Sequence, residues 1–250
     1  MSDASRRGRD EDDRRNRILS AVTHDLKSPV SAMISFADHI AHDMADKPHD
    51  PRWIDLLGRI RRAGDQTIAL IADILDMARL EAGREAIHPD WVDDPAAQLA
   101  EGVESFRMEA DARRIALGFT VCGELPSVYW DMERIRYRAL NNLVSNALKF
   151  TPPRGRVEVT VEAAGETIVI TVADTGPGVP EEELERIFLR FEQIDLRTHR
   201  ISQGAGLGLS NTRHFVALSG GSVTAANRPE GGALFTMRLP RMAAPALRSA

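Results

Sequence analysis

The sequence predicts two pieces in succession: an α-helical hairpin that pairs with a second copy into a dimeric four-helix bundle, then an α/β sandwich domain. Three observations carry this expectation. Apolar residues recur at steps of three and four from residue 19 into the seventies. After residue 90 that rhythm gives way to short β-rich runs alternating with helical ones. A hydrophobic content of 43% over 250 residues leaves room for two modest domains with packed cores.

Residues 1–17 hold eleven charged side chains and no large apolar one after Met1, so this extension cannot build a core and is expected to stay disordered. From Ile18, the residues Leu19, Val22, Leu26, Pro29, Met33, Phe36 and Ile40 alternate steps of three and four, the seam of an amphipathic helix. Pro29 removes a backbone donor and should kink it. DKPHDP, residues 46–51, reads as a turn. A second helix follows, with a stripe of Trp53, Leu56, Leu57, Ile60, Ile68, Ile71, Ile74 and Leu75, ending near a C-capping Gly83. One hairpin, 18–83, cannot cover a stripe that wide, which points to a homodimer.

Residues 84–93 are expected to link to a second domain over 94–240, with 241–250 a tail. Its elements are a helix at 94–113, β-rich pieces near 115–121 and 127–130, and a helix at 131–150. RVEVTVEAAGETIVITVAD follows as a hairpin turning at Ala-Ala-Gly-Glu. Residues 181–203 are charged and turn-like, a helix runs from about 208 to 218, and SVTAAN and ALFTMRL form a last hairpin around Pro-Glu-Gly-Gly.

Composition narrows the function classes. Cys122 is the single cysteine, so no intrachain disulfide or cysteine zinc site is available and nothing calls for an oxidising compartment. No apolar run approaches the roughly 20 residues of a membrane span, and the N-terminus has no signal-peptide core, so a cytoplasmic protein is predicted. A net charge of -5 with interspersed signs offers no basic field for nucleic acid.

The chemistry starts at His24, on the solvent-facing side of the first helix. A lone histidine there is usually a solvated surface group, the reading given to His39, His42, His49, His88, His199 and His214. Asp25 distinguishes His24, because a neighbouring carboxylate can take the imidazole proton and leave the other nitrogen free to attack phosphorus. The surrounding AVTHDLKSPVSAM resembles the H-box of histidine kinase dimerisation domains.

In NLVSNALKFTP, residues 142–152, Asn142, Asn146 and Lys149 share one helix face. An amide oxygen can ligate Mg²⁺ and an ammonium can pair with phosphate, although spacing alone fits a solvated polar face as well. The string resembles the N-box of the ATP-binding fold shared by histidine kinases, gyrase and Hsp90. That resemblance makes Asn146 the Mg²⁺ ligand and puts Lys149 on phosphate and Phe150 near the nucleotide ring, with Asn142 on the same ATP-binding face.

DTGPGV, residues 174–179, by itself an ordinary glycine-proline turn, resembles the G1 box. The likeness implies that Asp174 accepts from the adenine amino group while Gly176 and Gly178 allow close backbone approach. GAGLGLS, residues 204–210, fits neither a Rossmann fingerprint, which needs glycine where Leu209 stands, nor a P-loop, for no G-K-[ST] occurs. It resembles the G2 box, making Gly204, Gly206, Leu207 and Gly208 ATP-binding and opening a helix whose N-terminal amides hold phosphate. IFLRFEQID, residues 187–195, resembles the F-box, and 189–205 would form a lid over ATP.

His24 precedes Asn146 by 122 residues, and Asn146 precedes Asp174 by 28 and Gly206 by 60, the order of the family. With DILDMARLEAGREAI at 73–87 also similar, the resemblance covers about 17–240. It implies a sensor histidine kinase transmitter that uses ATP and Mg²⁺, phosphorylates His24 with Asp25 as base, and passes the phosphoryl group to an aspartate of a separate response regulator. Ser28 stands where the family more often has Thr or Asn, so a phosphatase activity is a further possibility. No sensor domain is seen, and input is expected through a separate sensory partner or the charged N-terminal extension, unless the chain is an excised fragment. Two alternatives remain. A non-kinase ATPase of the same fold would carry glutamate at Asn142, and a phosphotransfer or scaffold protein would have lost the Asn, Asp and Gly positions.

Overall fold

The computed structural model describes residues 30–40, 53, 56–61, 63–64, 67–68, 71, 87–189 and 208–242. The chain divides into two compact units, Met1–Ala82 with Asp195–Ala205, and Gly83–Ile194 with Gly206–Ala250.

In the first unit, α1 covers 30–40 and α2 is helical at each of its described residues between 53 and 71. The seam residues Met33, Phe36 and Ile40 are partly covered on α1, together with Ala32. They meet α2 where it is small: Ala63 is buried, and a Cβ on Gly64 would lie 3.7 Å from Met33 Sδ. The Arg59 guanidinium sits 5.8 Å over the Phe36 ring. The wide stripe on α2 is covered along one edge only. Leu57, Ile68 and Ile71 remain exposed, as do Val30 and Ile34 of α1. The Pro29 kink, the 46–51 turn and the Gly83 cap lie outside the described residues, as do Ile74 and Leu75.

The second unit contains β1 (Asp90–Val92), α3 (Pro95–Glu104), α4 (Arg107–Arg113), β2 (Ala116–Cys122), β3 (Val128–Trp130), α5 (Asn141–Phe150), β4 (Arg156–Ala164), β5 (Thr167–Asp174), α6 (Gly208–Leu218), β6 (Ser222–Asn227) and β7 (Ala233–Pro240). A wide-turn π-helical stretch, Arg134–Leu140, leads into α5. The main sheet has the order β2-β4-β5-β7-β6, with β2 parallel to β4 and the other pairs antiparallel. The pleat explains its core. Val157, Val159 and Val161 of β4 and Ile168, Ile170 and Val172 of β5 alternate onto one face and are fully buried. Leu143, Val144, Ala147 and Leu148 form the apolar stripe of α5 against them. Fully burying each such leucine is worth about 1.5–3 kcal/mol.

Three expectations are corrected. Residues 84–93, expected to be a linker, include strand β1, which pairs antiparallel with β3 and buries Val92. Three residues are too few for alternation to be readable. The helix expected over 94–113 is two helices. Ser105 Oγ donates to the Gly102 carbonyl at 2.6 Å, and the Phe106 N–H turns to Val103 instead. Finally, the β4–β5 turn is tighter than expected. Ala164 pairs with Thr167, and Gly165 turns the chain with φ +65°.

Candidate functional site

Helix α5 is the common support, because its polar edge is what the burial of 143, 144, 147 and 148 leaves outward. Asn142, Asn146 and Lys149 lie on that edge and are partly exposed. The helix stops because Thr151 is extended (ψ 128°), its hydroxyl bonding back to the Ala147 carbonyl at 2.7 Å, and Pro152 follows.

At the start of α5, Asn142 reaches α6. Its Nδ2 donates to Thr212 Oγ1 at 2.8 Å, and a Cβ on Gly208 would collide with its Oδ1. Gly208 therefore lets the first turn of α6 lie against the N-box amide. At the end of α5, the loop after β5 closes in. A Cβ on Gly176 would stand 2.9 Å from both Phe150 O and Asp174 Oδ1. The structure thus brings Asn142 to Gly208 and Phe150 to Asp174 and Gly176 at opposite ends of one helix.

Asp174 is the deepest charged group here, with 4% of its surface exposed. Its Oδ1 accepts from Gly176 N at 2.7 Å and from Ala233 N at 3.2 Å. Burial pushes its pKa up, while those two amides and the Arg228 guanidinium pull the other way. Both amides take Oδ1, so Oδ2 is the oxygen left for an incoming donor. Gly178 takes φ +75°, and Asn227 bonds both backbone groups of Val179 at 2.8 and 2.6 Å, pinning the G1 loop to β6.

Lys149 has its ammonium 5.1 Å from the Phe150 ring centroid. Burial lowers its pKa, and repulsion from Arg113 adds to the effect. Arg113 is held near by donating to the Leu148 carbonyl at 2.8 Å. Two cationic groups beside one polar helix edge suit a polyanion. Phe188 of the F-box is buried, edge-on to Phe235 at 6.4 Å and under the Arg213 guanidinium at 5.5 Å. His24, Asp25, Ser28, Gly204, Gly206 and Leu207 lie outside the described residues, as do lid residues 190–205.

With this geometry in hand, known proteins decide the family. Residues 14–83 match the His Kinase A (phospho-acceptor) domain, and 131–243 match the histidine kinase-, DNA gyrase B- and HSP90-like ATPase. The chain belongs to the histidine kinases. It is 36% identical over 232 residues to the histidine protein kinase DivJ of Caulobacter vibrioides, covering 92% of this chain and 38% of that protein. The sensor histidine kinase RppB of Synechocystis is 31% identical over 233 residues, covering 91% and 49%. Among solved structures, full-length ShkA in complex with AMPPNP aligns at 29% identity with a TM-score of 0.64, covering 94% of this chain and 48% of that one. The chain therefore spans less than half the length of these relatives. The fold is accordingly a kinase helical region followed by an ATPase-type α/β sandwich.

Sequence reading missed four contributors: Thr212, Arg228, Gly232 and Ala233. Thr212 stands in the polar run Ser210–His214 of α6, where nothing in the sequence sets it apart from its neighbours. The other three lie in the turn and strand start after β6, where consecutive Gly231 and Gly232 were readable only as turn residues.

Proposed function

We propose that this chain is a histidine kinase transmitter that binds Mg-ATP in its second unit and transfers the γ-phosphoryl group to His24. The observation that carries the reading is the buried Asp174 carboxylate. Its Oδ1 is fixed by two backbone amides at 2.7 and 3.2 Å beside the loop that closes on Phe150. A buried acceptor so held suits an exocyclic amino group, as on adenine. ShkA, a relative with the same fold, binds AMPPNP.

In this reading Asp174 takes the base and Phe150 lies beside it. Gly176 and Gly178 let the loop approach, while Gly204, Gly206, Leu207 and Gly208 line the phosphates at the start of α6. Lys149 offsets phosphate charge, and its neighbour Arg113 adds to the positive field. Mg²⁺ keeps most of its coordination from phosphate and water, so one or two neutral oxygens from the protein suffice. Asn146 fits that demand, with Asn142 one turn earlier. The ion would neutralise developing charge during an in-line transfer. Asp25 takes the proton from His24, whose free ring nitrogen attacks phosphorus. The phosphohistidine then supplies an aspartate of a separate response regulator, with Ser28 placed to orient a water that hydrolyses the partner's phosphoaspartate and releases inorganic phosphate.

The domain limits that go with this are an extension at 1–17, a dimerisation and phosphotransfer domain at 18–83 and a catalytic domain to about 240. The chain works as a homodimer in the cytoplasm, where ATP is available. Among the described residues no helix is long and apolar enough to cross a membrane.

The test is incubation with Mg²⁺ and γ-labelled ATP. The protein should gain an acid-labile, base-stable label that His24→Ala removes while nucleotide binding persists. Label surviving His24→Ala sinks the acceptor assignment.

A further inference from the structure

The turn joining β6 to β7, residues 228–232, does more than connect two strands, and this inference rests on the nucleotide reading above. It closes on itself through Arg228 N–H to Gly232 O at 2.9 Å and Gly231 N–H to Arg228 O at 3.0 Å. From there it reaches Asp174 three ways. Ala233 N–H bonds Asp174 Oδ1 at 3.2 Å, Arg228 Nη1 donates to the Asp174 carbonyl at 2.9 Å, and Gly232 packs against that same carbonyl. A Cβ on Gly232 would collide with the carbonyl oxygen, and its φ of +94° is one that side chains rarely adopt. Only glycine lets the turn come this close.

Arg228 is the part of this contact that carries charge. Its side chain is mostly covered, 23% exposed, and its guanidinium uses the fork of donors that lysine lacks: Nη1 on the Asp174 carbonyl and Nη2 on Glu230 Oε1 at 2.6 Å. Other charged neighbours around Asp174 are engaged elsewhere. On β4, Arg156 reaches Glu158 at 3.8 Å, and at the end of α5 the Lys149 ammonium lies over the Phe150 ring. Glu230 is exposed and balances the outer half of the guanidinium. Among the described residues, the cation that bonds the Asp174 backbone and opposes the upward push of burial on its carboxyl is delivered by a turn 54 residues away.

We propose that Arg228 is a positioning residue for base recognition: it ties the 228–232 turn to the Asp174 backbone and so fixes the carboxylate that receives the incoming amino group. Arg228 touches Asp174 and not the base. Its loss should therefore act on nucleotide affinity and on the pH at which that affinity fails, while leaving the phosphoryl step itself alone.

The experiment measures ADP binding by calorimetry on the whole chain and its Arg228→Gln and Arg228→Lys variants, across the acid range. Wild type should lose affinity as Asp174 becomes protonated. Arg228→Gln should bind roughly tenfold more weakly near neutrality, and its acid limb should move to higher pH, because the opposing cation is gone. Arg228→Lys keeps the charge and should restore the acid limb without the full affinity. The nucleotide ionises identically in all three titrations, so only the differences count. An Arg228→Gln variant that melts lower yet keeps the wild-type affinity and acid limb overturns the proposal, as does an Arg228→Lys limb displaced as far as the Gln one. Failure of wild type to bind ADP overturns the nucleotide reading, and this inference with it.

Discussion

The two units differ in where their large apolar side chains end up. In the sandwich, Leu143, Leu148, Ile168, Ile170 and Leu239 are fully buried within one chain. In the helical hairpin, Ile34, Leu57 and Ile68 keep 57%, 56% and 68% of their surface exposed. Among the described residues, the first unit leaves one side of its apolar stripe open, whereas the second closes a continuous core within one chain, with Trp91, Met108 and Tyr137 among the large side chains left on its surface. Stability of the hairpin should consequently be tied to association and depend on protein concentration, and that of the sandwich should not.

The sharpest break of that contrast is to charge the open edge. Replacing Leu57 and Ile68 together by Asp leaves α1–α2 packing through Met33, Phe36 and Gly64 untouched but puts carboxylates where a second copy would bury leucine and isoleucine. The expected outcome is complete conversion to monomer in analytical ultracentrifugation, with ADP affinity unchanged. A variant that stays dimeric would move the interface elsewhere.

The corresponding blow to the sandwich is Leu148→Ala, which opens a hole beneath the sheet. A loss of about 2–5 kcal/mol is expected from denaturant unfolding, with the dimer mass unaltered.

Asp174→Asn should separate binding from folding. Burial raises the Asp174 pKa, so the folded state favours the protonated form. That favourable contribution is present at low pH and is lost as pH rises through the folded-state pKa. Asparagine is neutral throughout. At neutral pH the variant should melt no lower than wild type, and any advantage should vanish in acid, while ADP binding falls roughly tenfold or more. A clear drop in melting temperature at neutral pH would mean that the charge stabilises the fold.

Much of the sandwich is legible in the sequence because its signals are local. Val157, Val159 and Val161 alternate, and the burial of 143, 144, 147 and 148 leaves Asn142, Asn146 and Lys149 together on one edge. Strand β1 was not legible, since Asp90–Val92 is a strand only because β3 lies beside it. The break at Ser105 turns on one hydroxyl taking a carbonyl that the next N–H would otherwise use. In the site, the motif residues were readable as strings, but the groups that orient them were not. Arg228 and Asp174 are 54 residues apart, Thr212 and Asn142 are 70 apart, and the Arg228, Gly232 and Ala233 contacts use backbone atoms of one partner or both. A residue type carries no pattern for such contacts.

The smallest effect concerns α3, and it sharpens the contrast from the quiet side. Asp94 caps this helix, its Oδ1 accepting from Ala97 N at 2.9 Å with Pro95 at the first turn, and the α3 residues Leu99 and Val103 enter the core. Asp94 itself is exposed, so Asp94→Ala removes a cap without opening a cavity. The expected cost is about 1 kcal/mol, seen as a few degrees in melting temperature. Because the sandwich closes on itself, this shift should be the same at every protein concentration. A substitution on the open edge of the hairpin should instead produce a shift that grows on dilution. If the Asp94→Ala shift also grew on dilution, the sandwich too would owe stability to a second copy, and the division into one associating and one self-sufficient unit would fail.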